Sequence, residues 1–221
     1  MKSWKQAFAI VTFSAATLLS GGVSADKDNR RFEVTITNIT QGEIFTPIMV
    51  ASHGKGVKLY ELGSPASPEL EMLAEGGDTQ PLSDALKAAG ALDVVTAADV
   101  LPPGQSVTLY VKMDRKNKYV SVASMLVPTN DGFFAVNGIR GSHYGHTQVY
   151  FSPAYDAGTE ENDELCVNIP GPPFICAGEG FNPNGGEGYV YIHPGIQGGG
   201  DLIASEHDWR NPVAKISIRG M

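Results

Sequence analysis

The chain has 221 residues and a formal net charge of −8, with 24 acidic against 16 basic side chains. That balance disfavours nucleic acid and anionic membrane surfaces as partners. The length suits one all-β domain or one domain with a small decoration, and is ample to bury a core.

Lys2 and Lys5 precede an apolar run from Ala7 to Leu19, and small residues close the segment at Val23-Ser24-Ala25. This is the pattern of a signal peptide, expected over residues 1–25 with cleavage after Ala25. The apolar run falls short of the roughly 20 residues a membrane span needs. No membrane insertion is expected, and Leu18–Gly22 offers no cysteine for lipid attachment. The mature protein is expected to be secreted or periplasmic, with one domain over residues 26–221. Loss of the leader removes two lysines and no acid, taking the formal charge from −8 to −10.

In chain order, strict alternation first marks a strand at Phe32, Val34 and Ile36 against Glu33, Thr35 and Thr37. Ile44–Ala51 follows as a second candidate. Between 67 and 90 the period changes to that of helices. Ser67 is placed to cap, Pro68 to begin and Gly76 to stop one helix, and Pro81–Ala89 before Gly90 repeats the grammar. Leu70, Leu73, Leu82 and Leu86 are expected to pack these helices against one end of a sandwich. Alternation returns at Val107, Leu109 and Val111, then come Tyr119–Val127, Phe133–Val136, Thr147–Phe151 and Gly188–His193. The last strand carries Ala214, Ile216 and Ile218 on one side. One apolar and one polar face per strand predicts antiparallel sheets packed face to face, an all-β antiparallel β-sandwich with one or two short inserted helices.

Cys166 and Cys176 are the only cysteines, set in a Pro- and Gly-rich segment. In an exported protein they are expected to form a disulfide, contributing roughly 2–3 kcal/mol by the loop-entropy model.

Three acids stand where strands give way to loops. Asp131 follows Met125-Leu126-Val127-Pro128, and Asp156 and Glu160 flank Ala157-Gly158-Thr159, where Gly158 permits a tight fold. Three converging carboxylates are unstable unless a cation neutralises them, and hard divalent ions favour oxygen ligands from loops. Each acid alone is also an ordinary turn residue or solvated charge, and Glu161, Asp163 and Glu164 supply alternatives.

Several pieces together resemble a spondin domain. They are Phe32–Thr37, Ala51-Ser52-His53-Gly54 with Gly56-Val57-Lys58 and Glu61-Leu62-Gly63, Ser124-Met125-Leu126-Val127-Pro128, Asn130-Asp131-Gly132-Phe133-Phe134, and Tyr155-Asp156-Ala157-Gly158-Thr159-Glu160. The similarity runs from about residue 31 to 219. It implies a β-sandwich resembling a C2 domain, with calcium bound at one edge by Asp131, Asp156 and Glu160. Gly132 departs from the family's usual tryptophan, and Glu160 from its aspartate. The expected function is an exported calcium-binding module for adhesion or recognition of an extracellular protein or glycan, the ion being structural.

The alternative is a histidine-based zinc or copper protein, or an enzyme of the cell envelope. His143-x-x-His146 has transition-metal spacing, and His193 or His207 could join it. No copper-type His-x-His strand occurs, and the string Gly138–His143 lacks the glycine spacing of a nucleophile elbow. A non-enzymatic protein is expected, and oligomeric state is silent in the sequence.

Overall fold

A computed structural model describes residues 30–182 and 185–221. The leader expected over residues 1–25 lies outside the described residues.

Two antiparallel sheets face each other. The first has the order β5 (Ser106–Lys112), β1 (Arg31–Asn38), β11 (Ala214–Gly220), β8 (Thr147–Ser152). The second runs β10 (Tyr191–Ile192), β9 (Ala154–Asp156), β7 (Gly132–Arg140), β6 (Tyr119–Val127), β3 (Met49–His53), β4 (Asp93–Thr96), and β2 (Ile44–Phe45) pairs with the end of β6. The alternation read in β1 sets its register: Val34 lies opposite Ile218 of β11 and Leu109 of β5, so the apolar set of three strands enters one core. Phe32, Val34, Ile36, Ile216 and Ile218 meet Val50, Val122, Leu126 and Phe134 from the second sheet. Each fully buried side chain of this size contributes about 1.5–3 kcal/mol relative to exposure.

The second sheet departs from the one-sided expectation. Every residue of β3 is buried, as is β6 after Tyr119. The cause is α1 (Pro68–Gly76) and α2 (Gln80–Ala88), which lie on the outer face of this sheet and not at one end of the sandwich. Leu70, Leu73, Leu82 and Leu86 form a second core with Met49, Ala51, Ala123 and Phe133. The start of α1 is as read from sequence, but its stop falls at Gly77 and not Gly76, and α2 has neither a side-chain N-cap nor a glycine C-cap. The Ser67 hydroxyl accepts from Leu70 N at 3.3 Å, Pro68 opens α1, and Gly77 closes it at φ 68°. A short α3 (Ala204–His207) precedes β11.

Cys166 and Cys176 are disulfide-bonded. No helix among the described residues is long and apolar enough to cross a membrane.

Candidate metal centre

The β6–β7 connection carries Asp131 at one end of the sandwich, and β9 delivers Asp156 beside it through the pairing of Gly132 with Asp156. Both side chains are fully buried. The backbone then folds back sharply. Gly158 sits at φ 69°, and a Cβ there would lie 2.2 Å from the Tyr189 carbonyl oxygen, so only glycine allows this approach. The turn aims backbone N–H groups at the acids. Asp131 Oδ2 accepts from Thr159 N at 2.8 Å, Glu160 N at 3.2 Å and the Thr159 hydroxyl at 3.3 Å. Asp156 Oδ1 accepts from Gly158 N at 2.8 Å, and its Oδ2 accepts from Asn162 Nδ2 at 2.6 Å.

One oxygen is left over. Asp131 Oδ1 is buried with no hydrogen-bond partner. Burial, and next the Asp156 charge, holds the Asp131 carboxyl well above the usual carboxylate range, against the pull of the Thr159 and Glu160 donors. Asp156 is raised by burial as well, opposed by Asn162, Gly158 and the Tyr191 hydroxyl. Two carboxyls that resist ionising together are an anionic pair in need of a proton or a cation.

Glu160 is differently placed. Its N–H serves Asp131, but burial and then the charge of Glu75 at the end of α1 push its carboxyl up to about 7. Its Oε1 also lacks a hydrogen-bond partner. Asp131 and Asp156 thus face each other's charge, while the charge raising Glu160 most is that of Glu75, whose Oε2 accepts from Asn182 N at 2.8 Å, and Asn130 bonds the Glu160 carboxyl. Among the described residues no three His, Cys, Asp or Glu side chains converge as a metal-binding group. Of the alternative acids Glu161 is exposed, and Asp163 and Glu164 are engaged elsewhere. Asp163 accepts from Asn130, Leu165 and Asn168, and Glu164 from the backbone of Gln197 and Gly199.

The donor set fits a hard cation in kind: carboxylate oxygens at a loop edge, one of them buried without a partner. Asp131 and Asp156 are the central side chains that would hold it, with the partnerless Glu160 Oε1, backbone carbonyls and water to complete the shell. Gly132, in the tryptophan position of the resemblance, is filled locally by Thr129. The Thr129 hydroxyl accepts from Gly132 N at 3.0 Å, and a Cβ on Gly132 would meet that oxygen at 2.7 Å.

His193 is a neighbour of the pair, and its role was not legible from local sequence. Its Nδ1 accepts from Gly195 N at 3.0 Å, which leaves the proton of the neutral ring on Nε2, 3.9 Å from Asp156 Oδ2. Burial lowers its pKa to about 4, so the ring is neutral at ordinary pH. Its Nε2 is buried with no hydrogen-bond partner, too far from Asp156 to donate to it, and Trp209 packs on the ring at 4.9 Å. Tyr191 and Asn162 support Asp156 from positions no spacing rule connects to it.

The four histidines offered as a transition-metal set are not brought together. His143 and His146 lie in the loop after β7, beside Gly220 at the opposite end of the sandwich from Asp156. His207 Nδ1 sits 3.7 Å from the buried Glu43. The fifth histidine, His53, is satisfied in the core by Ser121 and the Gly54 carbonyl.

No curated protein matches the chain. The family model described as Spondin_N matches residues 36–164, which takes in Asp131, Asp156, Glu160 and more than half of the sequence. With its two-sheet antiparallel architecture and the acidic turn between β9 and the following loop, the chain belongs to the Spondin_N family.

Proposed function

We propose that this protein is a calcium-stabilised binding module, acting by adhesion or recognition and not by catalysis, with Asp131 and Asp156 as the central ligands and Glu160 as the third. A spondin-type domain carrying a disulfide points to an extracellular or secreted protein, the compartment where millimolar calcium is available. The observation that carries the reading is the buried Asp131–Asp156 pair with a partnerless Oδ1. Such a pair is costly when both members are ionised, and a divalent ion removes the cost by occupying the space both carboxylates face.

In this reading the protein does the positioning. Thr159 and Glu160 N–H groups fix Asp131, while Gly158, Asn162 and Tyr191 fix Asp156. The ion supplies charge neutralisation and ties the β6–β7 connection to the β9 turn. Affinities of about 10⁻⁴–10⁻³ M are ordinary for extracellular modules. The test is calorimetric titration of calcium into the chelator-treated protein. Saturable binding that is lost in Asp131→Asn supports the reading, and absence of heat with the wild type excludes it. Glu160→Gln separates a ligand from a bystander: a ligand loses about tenfold or more in affinity, a bystander keeps it.

A further inference from the structure

The buried acidic pair and a cluster of basic side chains occupy opposite ends of the sandwich. β6 runs from Tyr119 toward the acidic pair and β7 returns to Arg140, which lies opposite Tyr119. At that far end β1 begins with Arg31 opposite Lys112. A cavity of about 240 Å³ opens there between the two sheets. Arg30, Lys118, Arg140 and His143 line it together with Tyr144 and Met221, and among the described residues no Asp or Glu side chain does.

The backbone that carries these cations is pinned, and among the described residues their side chains form no ion pair. Met113 N donates to the Arg30 carbonyl at 2.9 Å, and Gly141 N donates to the Lys118 carbonyl at 2.8 Å, so both chains are pinned at the rim. The buried Ser142 hydroxyl accepts from Gly220 N at 2.9 Å and bonds the His146 carbonyl, fixing the loop that carries His143 and Tyr144. Among the described residues the ion pairs of lysine and arginine join Lys58 to Glu61, Lys87 to Asp84 and Arg210 to Asp208, none of them here. The nearby Asp114 spends its carboxylate on Lys116 N, Asn117 N and the Asn117 amide. Tyr144 is 81 % exposed, a flat ring at the edge of a cationic cavity.

We propose that this cavity binds an anionic sugar residue of an acidic glycan. Two guanidinium groups offer planar paired donors to a carboxylate or sulfate, Lys118 adds a point charge, and the Tyr144 ring offers an apolar face to the C–H side of a sugar. The cavity is smaller than those that take drug-sized ligands, and suits one ring of a chain that continues into solvent. A nucleic acid fits less well, because its dense phosphates meet the repulsion of a protein whose formal charge is −8. The proposal names a partner class for the recognition reading above and rests on that reading only for the idea that the protein binds something. The cavity lies away from the acidic pair, so binding measured in EDTA tests it whether or not calcium binds.

The experiment is titration of the full chain, in EDTA at low salt, with three probes of equal length: a heparin-derived hexasaccharide, a hexagalacturonate and an uncharged cellohexaose. Saturable binding of either acidic oligomer, with none of cellohexaose, is expected. Preference between the two identifies sulfate or carboxylate as the recognised group. Arg30→Gln and Arg140→Gln are each expected to weaken binding about tenfold by removing a charged donor, while Lys215→Gln, the same charge change on the exposed face of β11, leaves it within twofold. Both arginines are exposed, so folding is retained. Failure of both acidic oligomers to bind overturns the proposal. So does equal weakening by Lys215→Gln, or equally tight binding of a short single-stranded DNA, since either would describe a diffuse charge effect and not a glycan site.

Discussion

Asp131 has one carboxylate oxygen held by three donors and another, equally buried, held by none. That asymmetry makes the acidic pair a balance between stabilising N–H donors and destabilising burial beside Asp156. Replacing one member by its neutral isostere removes the repulsion and keeps most of the shape. Asp131→Asn is therefore expected to raise the stability of the calcium-free protein at pH 8 by about 1 kcal/mol, read by urea unfolding, because neutralising a buried unpaired charge is commonly stabilising. Glu160 adds a pH dependence whose sign follows from its raised pKa. Its carboxyl ionises near 4.5 when unfolded and at about 7 when folded. The folded state thus holds the proton longer, and its contribution, complete below about 4.5, is lost as pH rises through about 7. His193, lowered to about 4, acts in the opposite sense below its unfolded value. Comparing wild type with Glu160→Gln cancels that contribution. Without metal, the wild type is expected to lose roughly 1–3 kcal/mol more than the variant between pH 5 and pH 8.

At the scale of elements, α1 binds the outer face of the second sheet through Leu70 and Leu73, both fully buried. Leu73→Ala is expected to cost about 2–5 kcal/mol in chemical unfolding, and Ser67→Ala about 1 kcal/mol through the lost cap. The helices were legible because their signals are local: a capping serine, a proline at the first position, a terminal glycine. The strands β1, β6 and β11 were legible because one face is polar or the apolar run is long. The position of the helices was not, since nothing near Leu70 reveals that Met49 and Phe133 will need covering. The short strands β4 and β9 escaped notice for the same reason. β9 has three residues and exists through its neighbours β7 and β10. In the acidic site the tight turn at Gly158 was readable, but turn chemistry paired Asp156 with Glu160, and Asp131 came to them through the family resemblance. The charge of Glu75 on Glu160 was not readable, because the two lie on elements far apart in sequence.

Across the whole molecule, of net charge −8, the buried acidic pair of the β6–β7 and β9 turns and the basic cavity of Arg30, Lys118 and Arg140 lie at opposite ends of β6 and β7. The calcium and glycan proposals therefore concern separate places on one fold. The disulfide Cys166–Cys176 belongs to the long connection between β9 and β10, outside both sites. Its replacement by two serines is expected to lower stability by roughly 2–3 kcal/mol in unfolding experiments and to leave calcium affinity within a few-fold.

The central claim is that calcium stabilises the acidic end through the Asp131–Asp156 pair. The most direct measurement is the thermal unfolding midpoint of the purified protein in EDTA and in millimolar calcium, for wild type and for Asp156→Ala. The account expects a calcium-dependent rise in the wild type, of the size set by mass action on the folded state, and none in the variant. Equal midpoints with and without calcium in the wild type would contradict it, as would a calcium-dependent rise that survives intact in Asp156→Ala.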